Sequence, residues 1–331
     1  MKGVISTLVK IAVSAVILYA LFSKIDLRVF WDTAASVPPY AIVAVAFLFI
    51  GTQGVSTLRW SIILKKDMDV SYFRLLSIYF IGMFFNNFLP TMVGGDIVKG
   101  YFLYKSSQRG DISFASIFMD RYSGFTALMA VTALALIPGY ALIKGTGLAA
   151  FFILLFGGFV CASLVIWVGP LHTWAMRLLA KVHFYGINKK IDTFYNVLMG
   201  YKDYPDVLVK IFICSVFVQT GVIAGHYFLG RQLGMRVGIG YFFLFIPLTT
   251  VISMLPISLS GLGIREGAFI FLFTRVGAAK EQAIALSLMW FAIMAIVSIV
   301  GGLEYLRLGG RRKMEDETDT PHGTPGTNEP R

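Results

Sequence analysis

The sequence predicts an all-α, polytopic integral membrane protein with about eight transmembrane helices and two short broken or re-entrant segments. Three observations support this fold class. The 331-residue chain is 57% hydrophobic and only 14% charged, whereas soluble domains average about 25% charged residues. Apolar runs of about 20 residues recur along the chain, the length that a helix needs to cross a bilayer. Finally, two cysteines are too few for a secreted disulfide scaffold.

The predicted spans are the apolar runs that contain few or no charged residues. The first run has the position of a signal peptide, but it is long and lacks a clear small-residue cleavage site, so it is interpreted as a retained helix. The spans lie at 4–22, 40–64, 72–89, 121–143, 148–168, 207–229, 237–255 and 282–306.

A single transmembrane domain, residues 1–308, is predicted to hold all the spans. Within it, a basic linker at 169–206 separates two halves at about 40–143 and 207–306. The linker has the composition for an interfacial amphipathic helix. The last residues, 309–331, are rich in charge, Pro, Gly and Thr and cannot bury a core, so we expect a disordered cytoplasmic tail.

The net charge of +11 is interpreted as a topology signal, because Lys and Arg accumulate in the cytoplasmic loops of membrane proteins. A cytoplasmic N-terminus places the basic loop at 59–74 inside. We therefore expect a multi-pass protein of the plasma or inner membrane with both termini in the cytoplasm. No nucleic-acid-binding motif accompanies the basic residues, which excludes nucleic acid as an expected partner.

Two segments, at 91–104 and 260–276, break the pattern of long apolar spans. Each follows a proline, Pro90 or Pro256, and proline ends a helix because it lacks a backbone donor. The sequence leaves open whether these segments cross fully or re-enter. A full crossing at 91–104 is favoured, because it puts the basic linker on the cytoplasmic side.

The two broken segments resemble each other when the first is shifted by 166 positions. The shift places Gly95 on Gly261 and Lys99 on Arg265, as well as proline on proline. Two such breaks in corresponding halves indicate a transporter binding site. In the favoured topology they would belong to an inverted repeat. The alternative is that both are ordinary interfacial turns, because Pro and Gly are common in membrane helices.

Ionisable residues near or within spans supply the candidate site, because charges at membrane depth are rare and usually functional. A helix N-terminus beside a Lys or Arg also forms an anion site that suits a phosphate. The candidate substrate-binding residues are Arg59, Asn87, Gly94, Gly95, Asp96, Lys99, Asp120, Arg121, Ser258, Gly261, Gly263, Arg265 and Glu266.

Several of these residues have an alternative role. Asp96 is either a helix cap or a functional acid. Arg121 pairs with an anionic substrate or with Asp96, or forms with Asp120 a charge pair at the membrane boundary. Taken alone, Arg59 has the position of an interfacial anchor. Asn87 and the asparagine before it bond either freed backbone or a polar head group.

No pattern indicates a catalytic residue, a metal site or a cofactor. The four histidines are scattered without metal-ligand spacing, and no nucleophile elbow, P-loop or dinucleotide fingerprint is present. We therefore expect no cofactor. Whether the protein is an enzyme stays open, and the lack of catalytic motifs argues against an enzyme.

Taken together, the motifs resemble a known family. They are Arg59-Trp60, Asn87-Phe88-Leu89-Pro90, Gly94-Gly95-Asp96 with Lys99, Asp120-Arg121, Pro256-Ile257-Ser258 and Gly261-Leu262-Gly263-Ile264-Arg265-Glu266. In this order and spacing, from about residue 10 to 306, they resemble the flippase-like transmembrane domain of lysylphosphatidylglycerol synthases. The same domain occurs as stand-alone membrane proteins of bacteria and archaea.

The resemblance implies a role in lipid translocation. In the bifunctional synthases this domain moves an aminoacylated phospholipid from the inner to the outer leaflet, while a separate soluble domain attaches lysine. Family members fused to glycosyltransferases imply links to lipid-borne sugars. Two departures are noted: we expect no soluble aminoacyl-transferase domain here, and Lys99 stands where the family often has Arg, which alone offers a bidentate fork.

The leading hypothesis is a translocator of an anionic or modified phospholipid, or of a lipid-linked head group. Its partner would be a membrane lipid whose phosphate is bound by Lys99, Arg121 and Arg265. One alternative is a membrane subunit or transferase of lipid modification, which works with a separate synthase or glycosyltransferase. The other alternative is a small-solute transporter.

Overall fold

The structure is a computed structural model that describes residues 12, 15–23, 25–88, 94–145, 147–180, 195–254, 258 and 261–318. These residues form helices and connecting turns without strands, which confirms the predicted all-α class. The helices are α1 (15–22), α2 (Leu27–Ala35), α3 (Pro39–Leu64), α4 (Tyr72–Phe88), α5 (Gly94–Ser107), α6 (Gly110–Ile143), α7 (Leu148–Trp167), α8 (Gly169–Ala180), α9 (195–199), α10 (Pro205–Gln232), α11 (Ile239–Ser253), α12 (Ile264–Phe273) and α13 (Lys280–Thr318).

Within the described part of the chain, four helices are long and apolar enough to cross a membrane. They are α3, α10, the Ala150–Trp167 portion of α7 and the Lys280–Leu308 portion of α13. Two predicted spans, 72–89 and 237–255, instead form α4 with 17 residues and α11 with 15 residues. Within the described residues, both are shorter than the roughly 20 residues that a crossing needs, and each one is the first arm of a helical hairpin.

The largest difference from the predicted boundaries concerns α6. The predicted span begins at residue 121, whereas α6 runs unbroken over 34 residues from Gly110 to Ile143. Asp120 and Arg121 therefore lie inside a helix of about 50 Å and not at its start. Helical packing tolerates them there because both side chains are paired with opposite charges on other helices.

The first helical hairpin consists of α4 and α5, which pack antiparallel. Near the tip, the Gly95 N–H donates to Asn86 Oδ1 at 2.9 Å. Further down, Gly82 faces the side chain of Lys99. A Cβ atom at Gly95 would overlap the carbonyl oxygen of Gly82, so this close approach of the two backbones requires glycine.

The second hairpin consists of α11 and α12 and has the same layout. Its base is closed by the rings of Phe242 and Phe273, whose centroids are 4.9 Å apart. Near its tip, Gly261 adopts a φ of +77° and lies against Ser253 of α11. An L side chain at Gly261 would be strained by that φ. The prolines predicted to break the helices, Pro90 and Pro256, lie outside the described residues.

The two hairpins open at opposite ends of the molecule. At one end, Arg109 after α5 donates to the Asp67 carbonyl after α3 at 3.2 Å, and Lys66 Nζ lies 4.6 Å from the ring centroid of Tyr201. At the other end, Gln282 of α13 donates to the Leu233 carbonyl after α10 at 3.0 Å. We call these the Asp67 end and the Leu233 end. Each hairpin thus returns the chain to the end from which it started.

The helices of the two halves correspond along the chain. α3 and α10 both begin with proline, at positions 39 and 205, and α5 and α12 end at Ser107 and Phe273; each pair is 166 positions apart. α4 and α6 have their counterparts in α11 and α13 in the same order. At the centre, α3 and α10 pack antiparallel, since Thr52 faces Gly221 and Arg59 bonds Ser215.

The linker and the tail are described in part. α8 occupies the start of the linker, where an interfacial helix is predicted, and residues 181–194 lie outside the described part. The last residues before α10 lie at the Asp67 end, as the favoured topology requires. α13 continues to Thr318 and so covers the first residues of the predicted disordered tail; residues 319–331 are outside the described part.

Candidate functional site

A cavity of about 490 Å³ lies among α3, α4, α6, α7, α10 and α11. One part of its wall is apolar, with Phe125, Leu128 and Phe159. The other part is polar and consists of Gln53, Ser56, Arg59, Tyr79, Asp120, Arg121, Gln219 and Thr250. Three of the sequence-predicted candidates, Arg59, Asp120 and Arg121, are among these polar residues.

Asp120 of α6 is the centre of a buried ion cluster. Arg59 of α3 approaches its Oδ1 with both Nε and Nη2 at 2.8 Å, and the third guanidinium nitrogen donates to Ser215 Oγ of α10 at 2.9 Å. Arg59 and Asp120 are 5% and 1% exposed. Burying charges is costly unless each is paired and hydrogen-bonded, and this geometry meets that condition. Arg59 therefore joins three helices and is not a surface anchor.

Lys99 of α5 is the second cation of this cluster. Its Nζ lies 3.5 Å from Asp120 Oδ2 and 3.9 Å and 4.7 Å from the ring centroids of Tyr79 and Trp60. Aromatic faces attract a desolvated ammonium, so the rings replace part of its lost hydration. Lys99 is 2% exposed and does not line the cavity itself. It contacts Asp120, which does.

Arg121 and Asp96 form a separate pair next to the cluster. Arg121 Nε and Nη2 donate to the two carboxylate oxygens of Asp96, both at 2.8 Å, which is the bidentate geometry of strong arginine pairs. The side chain of Arg121 is 54% exposed and that of Asp96 is 13% exposed. Of the alternatives for Arg121, the structure shows the pair with Asp96, and Arg121 is the most accessible cation of the site.

The cluster carries an excess of positive charge. Three cations, Arg59, Lys99 and Arg121, face two carboxylates, Asp96 and Asp120. With all five groups ionised, one positive charge is left over beside the cavity. A surplus charge within low-dielectric walls attracts a ligand of opposite sign, so the cavity favours an anionic group.

The charged residues after the second break form a cluster of their own. Glu266 accepts from the Gly263 N–H at 2.6 Å and from Ser287 Oγ at 3.0 Å. Arg265 Nε donates to Glu266 at 2.9 Å, and its guanidinium lies 4.8 Å from the ring centroid of Phe291. Arg265 and Glu266 balance each other, and neither lines the cavity described above. The structure thus separates residues that the sequence grouped into one site.

The free backbone donors predicted at the two glycine turns are already in use. The Gly95 N–H donates to Asn86, and the Gly263 N–H donates to Glu266. Side chains of the same chain therefore cap these two groups, and a phosphate would have to displace Asn86 or Glu266 to reach them. For Asn86, the structural alternative of bonding freed backbone is confirmed.

Two polar atoms near the hairpin tips lack partners. Asn87 Nδ2 at the end of α4 and Ser258 Oγ in the second break are buried and make no hydrogen bond with the part of the chain that the structure describes. Each lost hydrogen bond costs free energy in a buried site. Both residues are sequence candidates, so they stay predicted contacts for a ligand. Gly94, the first residue of α5, is buried.

Sequence reasoning missed Gln53, Gln219, Tyr79 and Ser215. Gln53 and Gln219 both line the cavity, and they are 166 positions apart in the central helices α3 and α10. An amide in the middle of an apolar span was the available signal, and the repeat shift would have paired the two. Among the described residues, no three His, Cys, Asp or Glu side chains are grouped to hold a metal.

Fold and site together define a multi-pass α-helical membrane protein with a buried ion cluster beside a polar cavity. Residues 7–302 match the model of the family described as lysylphosphatidylglycerol synthase TM region. The chain therefore belongs to this family, whose description indicates a membrane lipid-related function.

Two relatives of the chain are known by name as UPF0104 membrane proteins. The protein from Methanothermobacter thermautotrophicus is 25% identical over 259 residues, which cover 70% of this chain and 73% of the relative. The protein from Pyrococcus horikoshii is 25% identical over 278 residues, which cover 75% of this chain and 81% of the relative. Neither name states a substrate.

Proposed function

We propose that this protein is a lipid translocator that carries an anionic or modified phospholipid head group, or a lipid-linked head group, through the cavity at Arg121. The observation that carries the proposal is the surplus positive charge beside a cavity of about 490 Å³. An aqueous anion would also suit that charge. The apolar wall of Phe125, Leu128 and Phe159 favours a ligand with an attached apolar chain.

Arg121 is the residue that reaches a phosphate first. Its exposed guanidinium is held by Asp96, and a phosphate matches the same bidentate fork. A bound phosphate therefore competes with Asp96 for Arg121. Gln53 and Gln219 face the same cavity and supply amide donors for further oxygens.

Alternating access would use the two halves as an inverted repeat. Support comes from the matching helix order, the offset of 166 positions between α3 and α10, and the hairpins that open at opposite ends. Inverted repeats with discontinuous helices are a common architecture of secondary transporters. In this proposal residues 1–308 act as one domain.

The Asp67 end is proposed to face the cytoplasm of a cell that carries the protein in its plasma or inner membrane. Lys65, Lys66, Arg109 and Lys202 lie at this end, and Lys and Arg mark cytoplasmic loops. A synthase or glycosyltransferase that produces the lipid would then meet the protein on this side.

The proposal is tested by lipid translocation in liposomes. The purified protein is placed in phosphatidylcholine liposomes with fluorescent phosphatidylglycerol, and the access of an impermeant quencher to inner-leaflet label is followed. We expect the wild type to accelerate exposure. Arg121→Gln should slow it about tenfold or more, as the loss of a charge-assisted hydrogen bond implies.

Arg231→Gln is the matched control, because Arg231 lies exposed in the last turn of α10. Its rate should equal that of the wild type. Equal rates for both arginine variants would overturn the role of the cavity. A wild type that moves no anionic, zwitterionic or lysylated phospholipid would overturn the translocator proposal. The better hypothesis would then be that the protein is a membrane subunit of lipid modification.

A further inference from the structure

Gln53 and Gln219 place two amides in the wall of the polar cavity, one from each half of the chain. Their helices are in contact close by, since a Cβ atom at Gly221 would lie 2.7 Å from Thr52 Cγ2. Gln53 follows Thr52 on α3, and Gln219 lies two residues before Gly221 on α10. The two amides are therefore at about the same level of the α3–α10 crossing.

The amide of Gln219 also lies near Arg121. Its Nε2 donates to the Gly124 carbonyl at 3.3 Å, and Gly124 lines the same cavity. Gly124 is three residues after Arg121 on α6, which is about 5 Å along the helix axis. The cavity thus holds an accessible cation and, about one helical turn away, an amide that can bond a neutral polar group.

Each amide offers the cavity a donor and an acceptor side by side. A glutamine amide has two N–H donors and an acceptor oxygen. Gln219 uses one N–H for Gly124, and Gln53 uses one for Thr52 Oγ1 at 3.3 Å. In the described part of the chain, the other N–H and the oxygen of each amide have no partner. They are therefore available to a ligand in the cavity.

Two hydroxyl side chains of the wall add acceptors. Ser56 Oγ donates to the Thr52 carbonyl at 2.9 Å, and Thr250 Oγ1 donates to the Ile246 carbonyl at 2.8 Å. Because a hydroxyl has a single hydrogen, each of these oxygens can only accept from a ligand. The uncharged part of the polar wall therefore favours a ligand that carries hydrogen-bond donors.

The charge of the ion cluster limits which donors the ligand carries. An ammonium group donates, but it adds positive charge beside a cluster that already has one positive charge in excess. A trimethylammonium group, as in choline, has no N–H to donate. A hydroxyl both donates and accepts without charge. Two adjacent hydroxyls therefore match the donor and the acceptor that each amide presents.

We propose that the cavity recognises the phosphodiester of a polyol as a lipid head group, with its phosphate at Arg121 and its free, adjacent hydroxyls at Gln53 and Gln219. The inference rests on the proposed function and adds the chemistry of the head group to it. The apolar wall of the cavity favours the lipid over a free polyol phosphate. An aminoacylated head group, with one hydroxyl esterified and a net positive charge, fits this site poorly.

The experiment compares phosphatidylglycerol with phosphatidylpropanol, which has the same charge and a similar size but no head-group hydroxyl. Both lipids carry the fluorophore on an acyl chain, so that the head group is unmodified. In phosphatidylcholine liposomes, the wild type should move phosphatidylglycerol about tenfold faster, the factor that about 1.4 kcal/mol produces. Phosphatidylinositol should resemble phosphatidylglycerol, whereas phosphatidylethanolamine and lysylphosphatidylglycerol should move as slowly as phosphatidylpropanol.

A double variant with Gln53→Met and Gln219→Met removes the amides and keeps side chains of similar length. It should lose the preference and move both lipids at the wild-type rate for phosphatidylpropanol. Gln232→Met is the matched control, because Gln232 lies at the end of α10 and does not line the cavity. Its preference for phosphatidylglycerol should equal that of the wild type.

Equal rates for the two lipids in the wild type, or a preference that survives in the double variant, would overturn the polyol site and leave the translocator standing. Binding is measured in parallel, as the rise in Tm that each lipid and soluble glycerol phosphate produce in detergent. A larger rise with phosphatidylglycerol that depends on both glutamines, without translocation, would support the site and overturn the translocator. An equal rise with soluble glycerol phosphate would overturn the lipid as the source of the polyol.

Discussion

The α4–α5 hairpin and the α11–α12 hairpin share a layout but use their charges differently. In both, a glycine near the tip, Gly95 or Gly261, lies against the first helix, and a cation follows four residues later. Lys99 in the first hairpin is paired with Asp120 of α6 and with aromatic rings of α3 and α4. Arg265 in the second is paired with the adjacent Glu266.

This difference predicts that the binding chemistry of the proposed translocator lies at the first hairpin. The first hairpin belongs to a network that spans α3, α5, α6 and α10 and ends at an accessible arginine. The second satisfies its charges within α12 and the neighbouring α13. We therefore expect substitutions in the first cluster to alter stability and lipid handling together, and those in the second to alter stability alone.

The largest effect is expected for Asp120→Asn. This change leaves the buried cations Arg59 and Lys99 without their carboxylate, and breaking a buried pair costs about 3–5 kcal/mol. Thermal unfolding in detergent should show a markedly lower Tm. A second change, Lys99→Met, removes one stranded cation and should restore part of the loss. A double variant less stable than Asp120→Asn alone would contradict the pairing.

Next in size is Gly95→Ala compared with Gly261→Ala. The added methyl at position 95 meets the Gly82 backbone carbonyl, which cannot rotate away, so we expect a loss of about 1–3 kcal/mol. At Gly261 the cost arises from its φ of +77° and is about 1–2 kcal/mol. The measurement is Tm in one detergent for both variants. If Gly95→Ala unfolds at the wild-type temperature, α4 and α5 do not pack as described.

Glu266→Gln tests the role of the second cluster, because it keeps one side-chain oxygen that can accept from the Gly263 N–H. The amide NH2 then takes the place of the oxygen that accepts from Arg265 and Ser287. An NH2 group cannot accept, so these bonds are lost, and hydrogen bonds to charged groups contribute about 1.5–3 kcal/mol. We expect a lower Tm and an unchanged translocation rate in the liposome assay. A translocation loss as large as that of Arg121→Gln would place the second cluster in the lipid path.

The smallest effect is expected for Tyr201→Phe at the Asp67 end. The Tyr201 hydroxyl donates to the Ile63 carbonyl at 3.1 Å, and a single neutral hydrogen bond contributes about 0.5–1.5 kcal/mol. Burial raises the pKa of Tyr201, so the hydroxyl stays protonated and the Tm difference should be the same at pH 7 and pH 9. A difference that grows with pH would indicate an ionised Tyr201 instead.

The charged residues of the site were predictable from sequence because their surroundings are so apolar. Arg59, Lys99 and Asp120 stand out in a chain with 14% charged residues. Their partners were not predictable, since Arg59 and Asp120 are 61 positions apart and meet only after α3 and α6 pack. Only the Asp96–Arg121 pair could be named in advance as one of several alternatives.

The predicted start of α6 was wrong at Asp120 and Arg121 for a related reason. Hydropathy treats Asp120 and Arg121 as a membrane boundary, because an unpaired charge is costly at membrane depth. Pairing with Arg59 and Asp96 lifts that cost, so α6 continues through them for 34 residues. The hairpins were recognised as broken segments because Pro and Gly act locally on the backbone.

The surplus charge of the ion cluster has an electrical consequence for the proposed translocator. If a monoanionic head group binds there, it cancels the extra charge, so the site with lipid is electrically neutral and the site without lipid is not. One charge moved through the whole field gains or loses about 2.3 kcal/mol per 100 mV. We therefore expect the membrane potential to act on the return of the site without lipid and to leave the lipid-carrying step nearly unaffected.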